Sequence, residues 1–388
     1  MLFRGFWENL KKPIIGLAPM DGATDAAFRY MVAKCHKPDV MMTEFTNVEG
    51  MARGASKMLV SFLYEEIERP IVGQLFGVEV ESYYKCSVML CALGFDGVDI
   101  NMGCPVNKVA RKGSGAALIK TPGLAREIIR ACKRGVKDWA DGISLEGAGV
   151  HENIIIEIKK MVEGREGGKV PACAGMTEGD ARMTGGAGMT EGLGKVSPGT
   201  TFPKMPRKII PVSVKTRIGY DEIMADEWVK HLLEEQPANI TMHGRTLKQM
   251  YMGKANWEVL AKAAKVVHES GLGISFLGNG DVESMEDAYR KVKEYGVDGV
   301  LVGRAVLGNP WFFGGKDASL KDRLEILVEH ARYFQELGHL SFFNIRKHLG
   351  WYCKGFDGAK DCLMKLIQVE NAEEVVEVVK FIVGKSLV

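Results

Sequence analysis

Short apolar runs alternate with amphipathic helical patterns along most of the chain. Runs with the composition of buried strands lie at 14–18, 40–45, 71–76, 97–101, 210–216, 239–242, 274–279 and 299–302. Helical patterns lie at 25–35, 79–93, 122–136, 224–235, 257–270 and 284–295, several with Thr, Ser or Pro caps. This alternation predicts an α/β fold, a closed (β/α)8 TIM barrel. An open doubly wound sheet is the alternative, but no GxGxxG motif follows the first run.

The strand pattern stops after Pro310 and Trp311, and only the helical pattern continues. Helices are predicted at 320–337, 341–352 and 359–388. We therefore predict two domains, a barrel over residues 1–315 and a small all-helical domain over residues 316–388.

One interval, at about 138–207, interrupts the regular alternation. It is rich in Gly and Met, and its segment 173–179 nearly repeats at 186–192. Only 154–162 has a helical pattern, and low-complexity sequence of this kind is not expected to bury a core. We predict an insertion at the bottom of the barrel, away from the chemistry.

Composition narrows the class of protein. With 388 residues, 46% of them hydrophobic, the chain is expected to bury a large core. No apolar run approaches the roughly 20 residues that span a bilayer, and residues 1–10 lack signal-peptide character, so a cytoplasmic protein without membrane contact is expected. The eight cysteines contain no CxxC pair, so neither disulfides nor a metal site is predicted. A net charge of +2 is compatible with a polyanionic partner but does not indicate one.

Polar or glycine residues stand at the carboxyl end of every predicted strand. In a barrel these ends meet on one rim, where function is located. Eight polar ends on one rim are difficult to explain by structure alone. In chain order the residues are Pro19, Met20 and Asp21, then Glu44, Gln74, Asn101 and Cys104, Lys215 and Arg217, His243, Asn279, Gly280 and Asp281, and finally Gly303 and Arg304.

The types of these residues indicate a flavin site. The glycine turns after the last two strands lead into helix starts, which bind phosphate through backbone N–H groups, and Arg304 would add a charged contact. A buried Lys215 and the amide of Gln74 suit the polar edge of a flavin, because a positive charge stabilises the reduced, anionic ring. The alternative for Lys215 is a strand-end lysine that reaches solvent.

Two further residues are candidates for the reaction itself. Cys104 lies in a turn, where it would donate or accept a proton with a pKa that its neighbours adjust. The alternative is a small core residue. His243 would orient substrate or flavin, and its alternative is a core histidine bonded to backbone.

Five of the eight strand ends lie within segments that carry a family resemblance. These segments are Ala18-Pro19-Met20-Asp21-Gly22-Ala23-Thr24-Asp25; Asn101-Met102-Gly103-Cys104-Pro105 with Lys108, Arg111, Lys112, Gly113 and Gly115; His243-Gly244-Arg245-Thr246; Asn279-Gly280-Asp281; and Gly303-Arg304 with Gly308, Asn309, Pro310 and Trp311. Together they resemble the tRNA-dihydrouridine synthases, most closely the bacterial NifR3-like branch. Ile345-Arg346-Lys347-His348 and Trp351-Tyr352 resemble that branch's RNA-binding domain.

The resemblance implies an FMN enzyme that reduces the C5=C6 bond of uridines in tRNA with NADPH or NADH, without metal or obligate protein partner. It implies hydride delivery to C6 by the reduced flavin, and protonation of C5 by the cysteine that matches Cys104. Asn101 and Arg217 match positions near the uracil. The implied FMN contacts are Pro19, Met20, Asp21, Gln74, Lys215, His243, Asn279, Gly280, Asp281, Gly303 and Arg304.

A flipped uridine also needs a positive groove for its flanking phosphates. Six candidates for this groove are Lys108, Arg111, Lys112, Arg346, Lys347 and His348, each of which is otherwise an ordinary solvated side chain. The rival functions are another FMN barrel of the dihydroorotate dehydrogenase type and a noncatalytic tRNA-binding protein. The basic helical tail favours tRNA over a small substrate, and the presence of Cys104, Lys215 and His243 argues against a decayed enzyme.

Overall fold

The computed structural model describes residues 3–105, 113–166, 207–315 and 318–386. Its centre is a sheet of nine parallel strands, in the order β2-β1-β9-β8-β7-β6-β5-β4-β3. Because β2 also pairs with β4, the sheet closes into an eight-stranded barrel, and β3 extends the wall at its rim. The strands are β1 (Ile14–Leu17), β2 (Met41–Met42), β3 (Thr46–Asn47), β4 (Ile71–Phe76), β5 (Gly97–Met102), β6 (Val212–Arg217), β7 (Asn239–His243), β8 (Ser275–Asn279) and β9 (Gly299–Val302). The predicted TIM barrel is confirmed.

Helices connect the strands at the predicted places. Capping explains several of their starts: Asp25 accepts from the Phe28 amide at α1, and Ser284 accepts from the Asp287 amide at α8. The helices are α1 (Ala26–His36), α2 (Val48–Ala52), α3 (Val80–Ala92), α4 (Pro122–Ala140), α5 (Glu152–Glu166), α6 (Ala225–Leu233), α7 (Trp257–Glu269) and α8 (Met285–Tyr295). No helix in the described ranges is long and apolar enough to cross a membrane.

The chain after the barrel is helical, as predicted, with one difference. It forms α9 (Leu320–Leu337), α10 (Arg346–Tyr352), α11 (Ala359–Leu366) and α12 (Ala372–Ser386). The single helix expected over 359–388 is therefore two helices. The second begins directly after Asn371, whose Oδ1 accepts from the Glu374 amide at 2.9 Å and so caps a new helix start.

The helical region packs against α1 of the barrel. The rings of Tyr30 and Tyr333 stack with centroids 4.3 Å apart, and the Tyr333 hydroxyl donates to Glu65 at 2.9 Å. His348 Nε2 lies 3.3 Å from Asp25 Oδ2. These contacts bring α10 beside the loop that follows β1, at the rim of the barrel.

Part of the interval 138–207 contributes to the core, which corrects the expectation from composition. Leu145, Ile154, Ile158 and Met161 are buried in the main hydrophobic cluster. Three of these residues repeat at helical spacing on α5, within the segment 154–162 whose helical pattern was predicted, so the Gly and Met content of the whole interval was not a guide to burial in this segment. The near repeat at 173–179 and 186–192 lies outside the described residues.

Candidate active site

A cavity of about 840 Å³ opens at the carboxyl ends of the strands. This volume lies in the usual range for a small-molecule or cofactor site. Every predicted cofactor contact lines it, together with Cys104, Asn101 and Arg217. The lining is Ala18, Pro19, Met20, Asp21, Phe45, Gln74, Asn101, Gly103, Cys104, Pro105, Lys215, Arg217, His243, Tyr251, Asn279, Gly280, Asp281, Val282, Glu283, Leu301, Gly303, Arg304 and Ala305. Parallel strands in register bring these residues, distant in sequence, to one rim.

The turn after β5 holds Cys104 against the cavity. The Oδ1 atom of Asn101 accepts from the Gly103 amide at 3.0 Å and from the Cys104 amide at 2.9 Å. From β6, the Arg217 Nε atom donates to the Gly103 carbonyl at 2.6 Å. Cys104 retains 6% of its accessible surface and lines the cavity. The cysteine therefore lies on a turn that side chains of two adjacent strands hold in place.

Arg217 also ties this turn to the loop after β7. Its Nη1 atom donates to the carbonyls of Thr246 and Met250, each at 3.1 Å. Burial lowers the pKa of Arg217 to about 10, so it remains a cation at neutral pH. The position expected near a uracil is thus a buried cation that contacts two loops.

Lys215 projects from β6 into the cavity, where its Nζ atom donates to Asn279 Oδ1 at 3.1 Å. Burial and the neighbouring Arg217 lower its pKa to about 8, and the negative charge of Asp99 partly opposes this shift. The side chain is half-buried and lines the cavity, so it does not extend freely into solvent. At neutral pH it provides a mostly protonated ammonium group at the cavity floor.

His243 ends β7 as a neutral imidazole. Its burial, followed by the charges of Arg217, Lys215 and Arg245, holds its pKa well below the usual value. Arg245 Nη1 lies 3.3 Å from His243 Nε2. Because a guanidinium can only donate, Nε2 accepts, and the imidazole proton is on Nδ1.

The glycine turn after β8 brings backbone close to this histidine. Gly280 has φ of +120°, and a Cβ there would lie 2.8 Å from His243 Cδ2. The next residue, Asp281, accepts from Arg245 Nη2 at 2.6 and 2.8 Å and from Arg304 Nη2 at 3.0 Å. The Asp281 carboxylate is therefore compensated by two arginines and anchors Arg304 at the cavity.

The three candidates from the helical tail have different surroundings. Lys347 is exposed at the rim, beside the loop that follows β1. Its Nζ atom is so close to Gly22 that a Cβ added to this glycine would lie 3.1 Å away. Arg346 donates from Nε to the Val369 carbonyl at 2.8 Å, within the helical region. His348 is 0% exposed, so the expected surface position is wrong for it, because the helical region docks over its ring. The other three candidates, Lys108, Arg111 and Lys112, lie outside the described residues.

The sequence did not single out two aromatic residues of the lining. Phe45 follows β2, and Tyr251 follows β7 with 59% of its surface exposed. Phe45 comes shortly after a strand end, a signal that could have identified it, whereas Tyr251 lies further along the loop after β7 and carries no such signal. In the described ranges, no group of three or more His, Cys, Asp or Glu side chains could hold a metal ion.

Comparison with known proteins agrees with this geometry. The family Dihydrouridine synthase (Dus) matches residues 16–142 and 204–384. A probable tRNA-dihydrouridine synthase of Staphylococcus aureus (strain MRSA252) is 29% identical over 377 residues, 95% of this chain and 93% of the relative. Probable tRNA-dihydrouridine synthase 2 of Bacillus subtilis (strain 168) is 30% identical over 386 residues, 95% and 94% of the two chains.

Solved structures resemble the chain more weakly. A DHODH from Eimeria tenella in complex with ferulenol is 13% identical, with a TM-score of 0.44, over 84% of each chain. The family match covers the strands and loops that build the cavity, and both curated relatives align along almost the whole chain. The protein therefore belongs to the dihydrouridine synthase family of oxidoreductases.

Proposed function

We propose that this protein reduces the C5=C6 bond of specific uridines in tRNA, with FMN in the cavity and NADPH or NADH as the reductant. One observation carries the proposal: a cysteine, a half-buried lysine, three side-chain amides and a neutral histidine converge in one cavity at the barrel rim. The names of the curated relatives support tRNA as the substrate. In this proposal residues 1–315 form the catalytic domain and residues 316–388 the tRNA-binding domain.

The cavity residues fit FMN. Lys215 and the Gln74 amide provide the polar floor that a flavin ring needs, and Lys215 bears its positive charge at neutral pH. After β8 and β9, Gly280 and Gly303 line the cavity without a side chain and Arg304 adds a cation, a combination that suits a phosphate. Bound FMN would supply the hydride for C6.

Cys104 would supply the other hydrogen, by donating its thiol proton to C5. The charge left on its sulfur would lie in the field of two cations, because Cys104 interacts electrostatically with both Lys215 and Arg217. Neighbouring cations stabilise a thiolate and so favour loss of the proton. His243 is neutral and has its proton on Nδ1, so its role is to orient a ligand and not to act as the acid.

A base can reach this cavity only after leaving its stack. The exposed ammonium of Lys347 stands at the rim, near Asp21, where a flanking phosphate would pass. Five further contributors are proposed from the resemblance only: Lys108, Arg111, Lys112, Arg346 and His348. Because His348 is buried, it would contribute indirectly, by holding α10 in place.

The test is incubation of the protein with FMN, NADPH and unmodified tRNA, followed by mass spectrometric mapping of dihydrouridine. We expect Cys104→Ala to retain FMN but to form dihydrouridine at least about 100-fold more slowly, the usual loss when a general acid is removed. Cys35→Ala, a partly buried cysteine on α1 outside the cavity, is the matched control and keeps the wild-type rate.

The outcomes separate the rival functions. A colourless protein that cannot be reconstituted with FMN would exclude any flavin enzyme. Reduction of a small pyrimidine but not of tRNA would favour an enzyme of the dihydroorotate dehydrogenase type. An undiminished rate in Cys104→Ala would remove Cys104 from the reaction.

A further inference from the structure

A chain of polar groups lies beneath the cavity, between strands β4, β5 and β6. Gln74, Asp99 and Ser213 are each 0% exposed. A carboxylate inside a barrel is costly unless its oxygens are hydrogen-bonded. Asp99 does not line the cavity, so no direct contact with a ligand accounts for its presence.

Two donors satisfy the Asp99 carboxylate. Ser213 Oγ donates to Oδ1 at 2.6 Å, and Gln74 Nε2 donates to Oδ2 at 2.7 Å. An ionised carboxylate can only accept hydrogen bonds. The amide nitrogen of Gln74 must therefore face Asp99, and its oxygen must face away.

The orientation of Gln74 determines the orientation of the next amide. Gln74 Oε1 accepts from Asn101 Nδ2 at 3.0 Å, so the oxygen of Asn101 faces the turn that follows β5. There it accepts from the amides of Gly103 and Cys104, at 3.0 and 2.9 Å. Each step permits one orientation, because the Asp99 carboxylate at one end cannot donate and the two backbone N–H groups at the other end cannot accept.

We propose that Asp99 is a positioning residue for the reaction: by fixing the amide orientations of Gln74 and Asn101, it holds the turn that presents Cys104 to the substrate. This inference rests on the proposed function, because it assigns Asp99 a part in the proton transfer by Cys104.

The charge of Asp99 is essential to this role. Burial raises the pKa of Asp99 to about 6, and the hydrogen bonds from Ser213 and Gln74 and the charge of Lys215 oppose the rise. Cys132 on α4 also interacts with Asp99 electrostatically. Protonated Asp99 would carry an O–H donor, which permits Gln74 to reverse its amide and release Asn101.

The main test is Asp99→Asn, a substitution of nearly equal volume. Its amide can present either a donor or an acceptor to Gln74, so residue 99 no longer imposes one orientation on Gln74 and only the backbone N–H groups at the other end still do. We expect kcat for dihydrouridine formation to fall by about 10- to 100-fold with KM for tRNA unchanged, since small misplacements of reacting groups have effects of this size. A wild-type kcat in a folded Asp99→Asn variant would overturn the proposal.

The pH profile distinguishes positioning from a loss of fold. Wild-type kcat should fall on the acid side near pH 6, as Asp99 becomes protonated. Ser213→Ala removes a hydrogen bond that lowers the Asp99 pKa and leaves Gln74 unchanged, so this acid limb should move to higher pH. An acid limb that stays in place in Ser213→Ala would contradict the proposal, even if Asp99→Asn did not fold.

The activity of the wild-type protein distinguishes a failure of the proposed function from a failure of the positioning role of Asp99. If the wild type forms no dihydrouridine on unmodified tRNA, the proposed function fails. If the wild type is active and neither variant changes kcat or the acid limb, only the positioning role of Asp99 fails.

Discussion

Lys215→Met should stabilise the flavin-free protein while weakening its hold on FMN. The substitution removes a desolvated charge from the cavity floor and keeps an apolar chain of similar length. Burial lowers the Lys215 pKa from its usual 10.5 to about 8. A displacement of this size corresponds to roughly 3 kcal/mol of unfavourable free energy for the charged form in the folded state.

Part of that free energy is offset in the wild type. The hydrogen bond from Lys215 Nζ to Asn279 Oδ1 contributes about 1 kcal/mol. Because the Lys215 side chain still faces the open cavity, solvent screens its charge, and the true desolvation cost is smaller than this value. We therefore expect Lys215→Met to raise the free energy of unfolding by about 1–2 kcal/mol at neutral pH.

The pH dependence of stability provides a second test of the predicted stabilisation by Lys215→Met. Below pH 8 the lysine is protonated in both the folded and the unfolded protein, so the whole penalty is present. Between pH 8 and 10.5 the unfolded chain binds more protons, and wild-type stability rises with pH relative to the variant. The advantage of Lys215→Met over the wild type should shrink across this window.

Urea denaturation of the flavin-free proteins, followed by tryptophan fluorescence, measures both the stability difference at neutral pH and its change with pH. Lys262→Met, at an exposed position on α7, is the control and should change stability little. Added FMN at about 100 times its Kd should stabilise the wild type by about 2.7 kcal/mol and the variant much less, which reverses their order. A variant less stable than the wild type at neutral pH without flavin would refute the electrostatic reasoning.

Two further substitutions test other parts of the structure. Glu68 forms a fully buried ion pair with Arg29, so Glu68→Gln leaves the Arg29 guanidinium without a compensating charge. The free energy of unfolding in urea should fall by about 3–5 kcal/mol. As a control, Glu377→Gln, which removes an exposed ion pair with Lys380, should lower it by less than about 1 kcal/mol. Gly280→Ala places a Cβ 2.8 Å from the His243 ring and should weaken FMN binding at least about tenfold by fluorescence titration. Gly271→Ala, also at positive φ but with open space around it, should leave FMN binding unchanged.

The barrel was predictable because each of its strands is a separate apolar run bounded by polar or glycine residues. The rim followed from the fold alone, since the carboxyl ends of parallel strands meet there. This is why Cys104, Lys215 and His243, distant in sequence, could be assigned to one cavity. Their hydrogen-bond partners could not be assigned, because strand register and side-chain orientation are tertiary properties.

The incorrect expectations concern contacts between distant segments. His348 has the sequence context of a basic surface segment, yet docking of the helical region against Asp25 on the barrel buries it. The helical pattern at 154–162 was recognised, but the composition of the interval around it gave the incorrect expectation that these apolar positions are not part of the core. Asp99 lies in an apolar strand run, and the sequence does not reveal that its partners are Gln74 and Ser213.

The distribution of charge in the cavity limits which group can act as the acid. Lys215 and Arg217 are cations at neutral pH, and their fields are among the causes that keep His243 neutral. A neutral imidazole has no acidic proton to transfer near pH 7. The same two cations favour the negative charge that a thiol acquires when it loses its proton. One electrostatic arrangement therefore argues against His243 as the acid and favours the role proposed for Cys104.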